Sequence, residues 1–259
     1  MPEPTVVCVM LTKDRPEMAQ RAVSAFRAQT YGRKRLLAVN NGRFALPDAL
    51  LTVGSEVEIY RHNGGSPIGS LRNFANGCTA CDIIAHWDDD DWSHPNRLAE
   101  QVALLQSSGA ECVVYTDMLF WDTRFGHFCG AWLYTNPAPV FSLGSSMLYW
   151  RSAWEARPFD DINHGEDGRF MRKVKTVGVS SFPALPDCMI PQKVGGKAYL
   201  ADPLRAFMDD PHLDLSSRMV CGIHGGNSSP YRPESAPNSY RRVPEFDEYC
   251  RRVMSLEGK

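Results

Sequence analysis

The chain has 259 residues, 43% hydrophobic and 22% charged, with 28 basic against 30 acidic residues and a formal charge of −2. This supplies apolar material for one large core or two modest ones, and the near-neutral balance excludes a global attraction to nucleic acid or an anionic bilayer. No apolar run approaches the roughly 20 residues that cross a membrane, and MPEPTVVCVMLTKDRPE has no basic segment ahead of its short apolar stretch, so the expected location is cytoplasmic.

Thr5 to Leu11 is a β-branched and apolar run, short enough to be a strand buried on both faces. Thr12-Lys13-Asp14-Arg15-Pro16 follows at once: Asp14 or Thr12 suits a helix cap, and Pro16 suits the first turn. Ala19, Ala22, Val23 and Phe26 then recur at i, i+3, i+4 and i+7, which predicts a helix. Arg35 to Val39 reads as a second strand closing in the turn Asn40-Asn41-Gly42, and Glu56 to Tyr60 as a third. Gly69 to Asn76 reads as a short helix and Asp82 to Trp87 as a fourth strand. Pro95 to Gln106 reads as a helix with Leu98, Val102 and Leu105 on one face.

Strands alternating with helices predict an α/β fold with right-handed crossovers and a mostly parallel sheet. Ligands of such sheets bind beyond the carboxyl ends of the strands, where Thr12 to Arg15, Asn40-Asn41 and Asp88 to Asp91 fall. After Glu111 the pattern changes: Cys112 to Trp121, Ala131 to Tyr134 and Ser145 to Tyr149 read as strands of an antiparallel half. Glu166 to Val177 reads as a helix, Ser235 to Pro244 as loop, and Pro244 opens a last helix with Phe246, Tyr249, Cys250 and Val253 on one side. The expected division is one domain over residues 1–230, with halves 1–110 and 111–230, and residues 231–259 packed on it as loop and helix.

Cysteines stand at 8, 78, 81, 112, 129, 188, 221 and 250, several within apolar runs, and read as buried free thiols. Cys78 and Cys81 form a CxxC pair without the second pair or nearby histidines that a structural zinc site takes.

The segment His86-Trp87-Asp88-Asp89-Asp90-Asp91-Trp92 places four carboxylates at the end of an apolar strand. Neighbouring like charges repel by about 1 kcal/mol per pair even in water and by more when partly buried, so a positive partner is implied. Oxygen ligands favour Mg²⁺ or Mn²⁺ and leave coordination positions for phosphate oxygens and water. As a bare pattern the run also fits a solvated acidic loop capping the next helix. A calcium loop of the EF-hand type fits badly, since Ser93 holds its sixth position and Ala99 its twelfth. Trp92 likewise stands where an Asp-x-Asp-x-Thr phosphatase motif has threonine.

IIAHWDDDDWSHPNRLAEQV resembles the metal-binding stretch of family 2 glycosyltransferases of the GT-A fold. VVCVMLTKDRP resembles that family's first strand and nucleotide loop, AFRAQTYGRKRLLAVNNG its helix, turn and second strand, and IGSLRNFANG its Arg-Asn segment. LGSSMLYWRSAWEARPFDDINHGEDGRF resembles its acceptor-side strand and Glu-Asp pair. The resemblance covers roughly residues 5 to 175. It implies a Rossmann-like GT-A fold with a mostly parallel central sheet and a small antiparallel acceptor-side sheet.

The same resemblance implies an inverting transfer from a nucleotide diphosphate sugar, with a UDP-sugar favoured, to an acceptor hydroxyl, a saccharide by family prior. Asp90 is then the metal ligand, with Asp88 and Asp89 at the ribose or in the metal shell. Thr12, Lys13, Arg15, Asn40, Arg72 and Asn73 line the nucleotide site. Asp167 is the catalytic base, and Trp92, Ser145 and Glu166 lie on the acceptor side. Asn40-Asn41 departs from the acidic residue many members carry there, which leaves base identity open. His224, within Cys221-Gly222-Ile223-His224-Gly225-Gly226-Asn227-Ser228-Ser229, is read either as a third metal ligand or as a plain loop histidine. Two rival functions stay open: a sugar-nucleotide-binding module without turnover, and a sugar-nucleotide pyrophosphorylase, whose Gly-rich phosphate loop Lys13-Asp14-Arg15 lacks.

Overall fold

In a computed structural model, Val6–Thr12 forms strand β1, six of its seven residues buried. The model describes residues 2–47, 56–62, 64–124, 129–135, 143–182, 192–194, 197–199, 218–224, 233 and 239–255. Helix α1 (Pro16–Arg27) follows with Pro16 at its first position, and the predicted face buries Ala19, Ala22, Val23 and Phe26. Its cap position is Arg15, with no side-chain cap; Asp14 instead takes a left-handed backbone (φ 54°), which Asp tolerates better than most residues. Strands β2 (Lys34–Asn40) and β3 (Val57–Arg61), helix α2 (Ile68–Gly77) and strand β4 (Ile83–His86) then come in the expected order. After the two-residue β5 (Trp92–Ser93), helix α3 (Arg97–Ser108) ends on Gly109 at φ 62°, the left-handed stop that glycine adopts without a Cβ clash.

The run expected as one strand from Cys112 to Trp121 breaks at Thr116 into β6 (Cys112–Tyr115) and β7 (Asp117–Asp122), which enter different sheets. Thr116 N donates to Val179 O (2.9 Å) and the buried Asp117 accepts from Ser181 N (2.7 Å), so the chain turns out of one sheet at a polar hinge. Strand β8 (Gly130–Thr135) contains the predicted Ala131 to Tyr134. Ser145 to Tyr149 is not a continuous strand: Gly144–Ser146 is a single 3₁₀ turn leading into β9 (Leu148–Trp150) and α4 (Arg151–Ala156).

Helix α5 (Glu166–Lys173) is shorter than expected, because the β-branched run Thr176–Val179 leaves it as strand β10. Short strands β11 (Gln192–Val194) and β12 (Lys197–Tyr199) pair with each other, and β13 (Met219–Ile223) follows. Tyr240–Arg242, expected as loop, pairs with β8 as strand β14. After a 3₁₀ turn at Pro244–Phe246, the last helix α6 (Asp247–Met254) buries Cys250 and Met254.

The central sheet has the order β10-β6-β9-β4-β1-β2-β3. All of its strand pairs are parallel except those of β9, which runs antiparallel between β4 and β6. The mostly parallel sheet is therefore as expected, and strands from both halves of the chain share it. The smaller sheet, β14-β8-β7-β13-β5, is antiparallel apart from the parallel pair β13 and β7.

Two apolar layers cover the central sheet, one built around Phe26, Trp87, Leu98 and Leu105, the other around Leu71, Tyr149, Phe159 and Phe170. Trp87, just past β4, donates from Nε1 to Ala22 O (2.9 Å) and meets Phe26 edge-on at 6.1 Å, which anchors α1 beneath the carboxylate loop. Among the described cysteines all are free: Cys8, Cys112, Cys221 and Cys250 are buried, Cys78 and Cys81 half-buried, and Cys129 exposed, contrary to its expected burial. Cys188 lies outside the described residues, as do Gly225 to Ser229. No described helix is long and apolar enough to cross a membrane.

Arg97 is fully buried, with its guanidinium over the Trp87 ring at 5.1 Å. It donates to Gln101 Oε1 (3.1 Å), Ser93 Oγ (2.9 Å), His86 O (3.0 Å) and Ser145 O (3.1 Å), so one cation joins the end of β4 to the 144–146 turn. Arg97→Met, which strands several buried acceptors at about 1 kcal/mol or more each, is expected to lower unfolding free energy by about 2–4 kcal/mol. Urea denaturation of the metal-free protein reads this directly, and an unchanged midpoint contradicts it.

Candidate active site

Strands β1 and β2 end in register, Thr12 opposite Asn40, and Trp87 N donates to Val9 O (3.0 Å), so Thr12, Asn40 and the aspartate loop share the carboxyl edge of the sheet. The loop is a tight turn in which Asp91 N donates to Asp88 O at 3.4 Å. That turn sorts the four carboxylates. Asp88, Asp90 and Asp91 each offer an oxygen within 4.8 Å of the others. Asp89 points away: it accepts from Thr12 Oγ1 (2.7 Å) and pairs with Arg15 (2.6 Å). Burial, with Arg15 pulling the other way, pushes the Asp89 carboxyl up to about 7.

Thr12 and Arg15, expected at the nucleotide, are thus bound to the carboxylate loop, Arg15 also reaching Asp90 at 3.1 Å. Lys13 is exposed at the rim. His224 joins the site from the end of β13, its Nε2 3.2 Å from Asp90 Oδ2. Strand β13 also fixes the loop: Gly222 N and Cys221 Sγ donate to Asp91 at 3.2 Å each. A Cβ on Gly222 would come within 2.5 Å of Asp90 O, so only glycine permits this approach.

Three carboxylates form an oxygen donor set suited to a hard divalent cation, with the His224 imidazole beside Asp90. Without a cation the charges strain one another. Burial and the neighbouring aspartates push the Asp91 carboxyl well up, and removal from water raises Asp88 against the pull of Arg72. Asp90 is also pushed up by burial but is held below the usual range by the hydrogen bond to His224 and the charge of Arg15. A cation competes with protons at the raised carboxyls, so Mn²⁺ affinity is expected to climb with pH and then level off. Calorimetric titrations at pH 5.5, 6.5 and 7.5 test this; a constant affinity contradicts it.

Arg72, on α2, is 6% exposed and spans the site. Its Nε donates to Glu166 Oε1 (3.2 Å) and its Nη2 lies 3.9 Å from Asp88. Its Nη1 is buried and has no hydrogen-bond partner among the described residues. Glu166 and Asp167 open helix α5, so Arg72 bridges the aspartate loop to the acidic pair. Burial raises the Glu166 carboxyl, with Arg72 opposing. Asp167 is half-buried, its Oδ1 accepting from Gly168 N at 2.6 Å.

The remaining expected residues fall elsewhere. Asn73 spends its amide on the fold: Nδ2 donates to Phe159 O (2.9 Å), and Oδ1 accepts from Trp154 Nε1 (2.9 Å) and Phe159 N (3.0 Å). Asn40 is likewise committed to its own turn, accepting from Gly42 N (2.9 Å) and donating to Phe44 O (2.8 Å). Asn41 is different, because its Oδ1 is buried and has no hydrogen-bond partner among the described residues. Trp92, expected on the acceptor side, packs edge-on between His94 and Tyr249, each at 6.1 Å. Ser145 lies behind the aspartate loop, Oγ 3.5 Å from Cys221 Sγ. Asp91 stood in the predicted carboxylate cluster but was given no role of its own, although a four-residue turn brings its first and last members together.

A mostly parallel sheet with one reversed strand and a carboxylate turn at its carboxyl edge is the arrangement of a GT-A fold. Residues 7–127 match the family described as glycosyl transferase family 2. Structurally it is similar to S. aureus TarS 1-349 in complex with UDP-GlcNAc, at a TM-score of 0.59 and 11% identity over 88% of this chain and 61% of that one. It is also similar to the mannosyltransferase PcManGT from Pyrobaculum calidifontis in complex with GDP-Man and Mn²⁺, at a TM-score of 0.54 and 12% identity over 74% of this chain and 59% of that one. The chain spans only 35% of the longer S. aureus TarS structure and about three fifths of these two. No curated protein sequence matches it.

Proposed function

We propose that the protein is a metal-dependent, inverting glycosyltransferase that moves a sugar from a nucleotide diphosphate, a UDP-sugar first, to an acceptor hydroxyl. The observation that carries this reading is Arg72, which holds the cation-type carboxylate cluster and the Glu166-Asp167 pair on one face, 3.9 Å from Asp88 and 3.2 Å from Glu166. A purely nucleotide-binding module has no use for the second pair.

Asp88, Asp90, Asp91 and His224 hold the cation, Mn²⁺ or Mg²⁺, which when bound supplies Lewis-acid stabilisation of the departing diphosphate. Arg72 Nη1, buried and unpaired, is placed to donate to an oxygen of the donor. Asn41 Oδ1 is the orphaned acceptor at the end of β2, suited to the imide N–H of a uracil edge, and takes the base-reading role first given to Asn40. Asp167 removes the proton of the acceptor hydroxyl. That oxygen bonds to the anomeric carbon as the carbon–oxygen bond to the diphosphate breaks, and the bonding pair leaves with the diphosphate. One displacement inverts the anomeric centre. Trp92, Asn73 and Asn40 act as framework.

Incubation with Mn²⁺ and a panel of UDP- and GDP-sugars, with and without saccharide acceptors, tests the reading. Release of nucleoside diphosphate is expected. Consumption of nucleoside triphosphate with pyrophosphate formation supports a pyrophosphorylase instead, and binding without release supports a non-catalytic module.

A further inference from the structure

The 3₁₀ turn Gly144–Ser146 lies between the two functional clusters and is held from three sides. His86, the last residue of β4, donates from Nδ1 to Gly144 O at 2.7 Å. The carbonyl accepts only, so Nδ1 carries the hydrogen and Nε2 is left to accept from the Tyr149 hydroxyl (3.4 Å), whose oxygen accepts from Asn76 Nδ2 at 3.0 Å. Arg97 ties His86 O to Ser145 O, at 3.0 and 3.1 Å. Gln101 Nε2 donates to Ser146 O at 2.8 Å. His86, Gly144 and Ser146 are all fully or almost fully buried, so these bonds form where water does not compete.

On its other side the turn meets Asp167. A Cβ built on Gly144 would fall on Asp167 Oδ2, inside any van der Waals contact. Gly144 is not among the glycines with a left-handed backbone, so its conformation is open to other residues and only the space demands glycine. The carboxylate rests where a side chain would be.

We propose that Gly144 is a positioning residue for sugar transfer: the turn, gripped by His86 from the strand that ends in the metal-loop aspartates, sets the distance from that loop to the Asp167 carboxylate. The inference rests on the reading of Asp167 as the base. Its physical content is a spacer with no freedom on either side, one face bonded to β4 and the other in contact with the carboxylate. Adding one methyl group pushes the carboxylate off its seat without touching the aspartates that hold the cation.

The test is Mn²⁺-dependent UDP release from UDP-GlcNAc and other UDP-sugars by wild type, Gly144→Ala, Asp167→Asn and the double variant. A shift of about 1 Å at the reacting centre costs about 100-fold, so kcat of Gly144→Ala is expected to fall by about that factor, with donor KM and Mn²⁺ affinity within about twofold of wild type. Acting through Asp167 alone, Gly144→Ala adds nothing in the double variant beyond the loss in Asp167→Asn. His86→Phe, which removes the grip on Gly144 O without touching Asp167, is expected to lower kcat at unchanged KM, and it decides the matter if Gly144→Ala does not fold. Undiminished kcat in Gly144→Ala, parallel loss of donor affinity, or losses that multiply in the double variant overturns the proposal while leaving the base assignment intact; if Gly144→Ala does not fold, undiminished kcat in His86→Phe does the same. Full turnover by Asp167→Asn overturns the base assignment itself, and the proposal with it.

Discussion

Asp167→Asn is expected to cut turnover by about 10²–10⁴-fold, the usual worth of a general base, while UDP binding in Mn²⁺ stays unchanged. The amide keeps the shape of the side chain and its acceptor oxygen for Gly168 N (2.6 Å), so helix α5 and its packing should survive. What is lost is the capacity to take a proton. The separation of binding from turnover distinguishes a base from a residue that shapes the pocket. Steady-state kinetics with calorimetry on the same preparation measures both, and a variant that loses donor affinity along with rate contradicts the assignment.

The second large effect is expected at Asp90→Ala. Asp90 lies at the centre of the cation site, 3.2 Å from His224 and 3.1 Å from Arg15, and it shares the oxygen cluster with Asp88 and Asp91. Losing it removes a ligand and frees His224, so Mn²⁺-supported UDP affinity should fall by at least about 100-fold, since even supporting residues of metal sites are worth 10–100-fold. Mn²⁺ should also cease to raise the melting temperature. A Mn²⁺-supported UDP affinity unchanged from wild type contradicts the ligand role.

Apart from the two-residue β5, the order of strands and helices through α3 was legible because each carried a strong local signal: the apolar run of β1, the 3.6-residue spacing of α1 and the shared face of Leu98, Val102 and Leu105 on α3. Beyond Glu111 the signals weaken. The run from Cys112 to Trp121 is interrupted only by Thr116-Asp117, and Asp117 redirects it by accepting from Ser181 N, a partner 64 residues away that no local window contains. Helix α5 was overextended because Thr176 to Val179 sits beside β6, and that pairing overrides the helical continuation.

The candidate site divides similarly. Asp88, Asp90 and Asp167 could be singled out because their residue types and order match a known chemistry. Which aspartate turns away, and which asparagine is left with an unpaired oxygen, depends on hydrogen bonds made after folding: Thr12 and Arg15 claim Asp89, while the turn to Phe44 claims Asn40. Arg72 was read as a nucleotide contact, and its second task of joining Asp88 to Glu166 required three elements to be in place.

The central claim is a spatial one, that the cation site and the Asp167 carboxylate lie on opposite sides of one bound sugar. A crystal soaked with Mn²⁺ and a UDP-sugar tests it directly through the anomalous signal of manganese. The expected result is a manganese peak bonded to Asp90 and the diphosphate, with the anomeric carbon between it and Asp167. A manganese peak away from Asp90, or a diphosphate on the same side of the sugar as Asp167, would contradict the account.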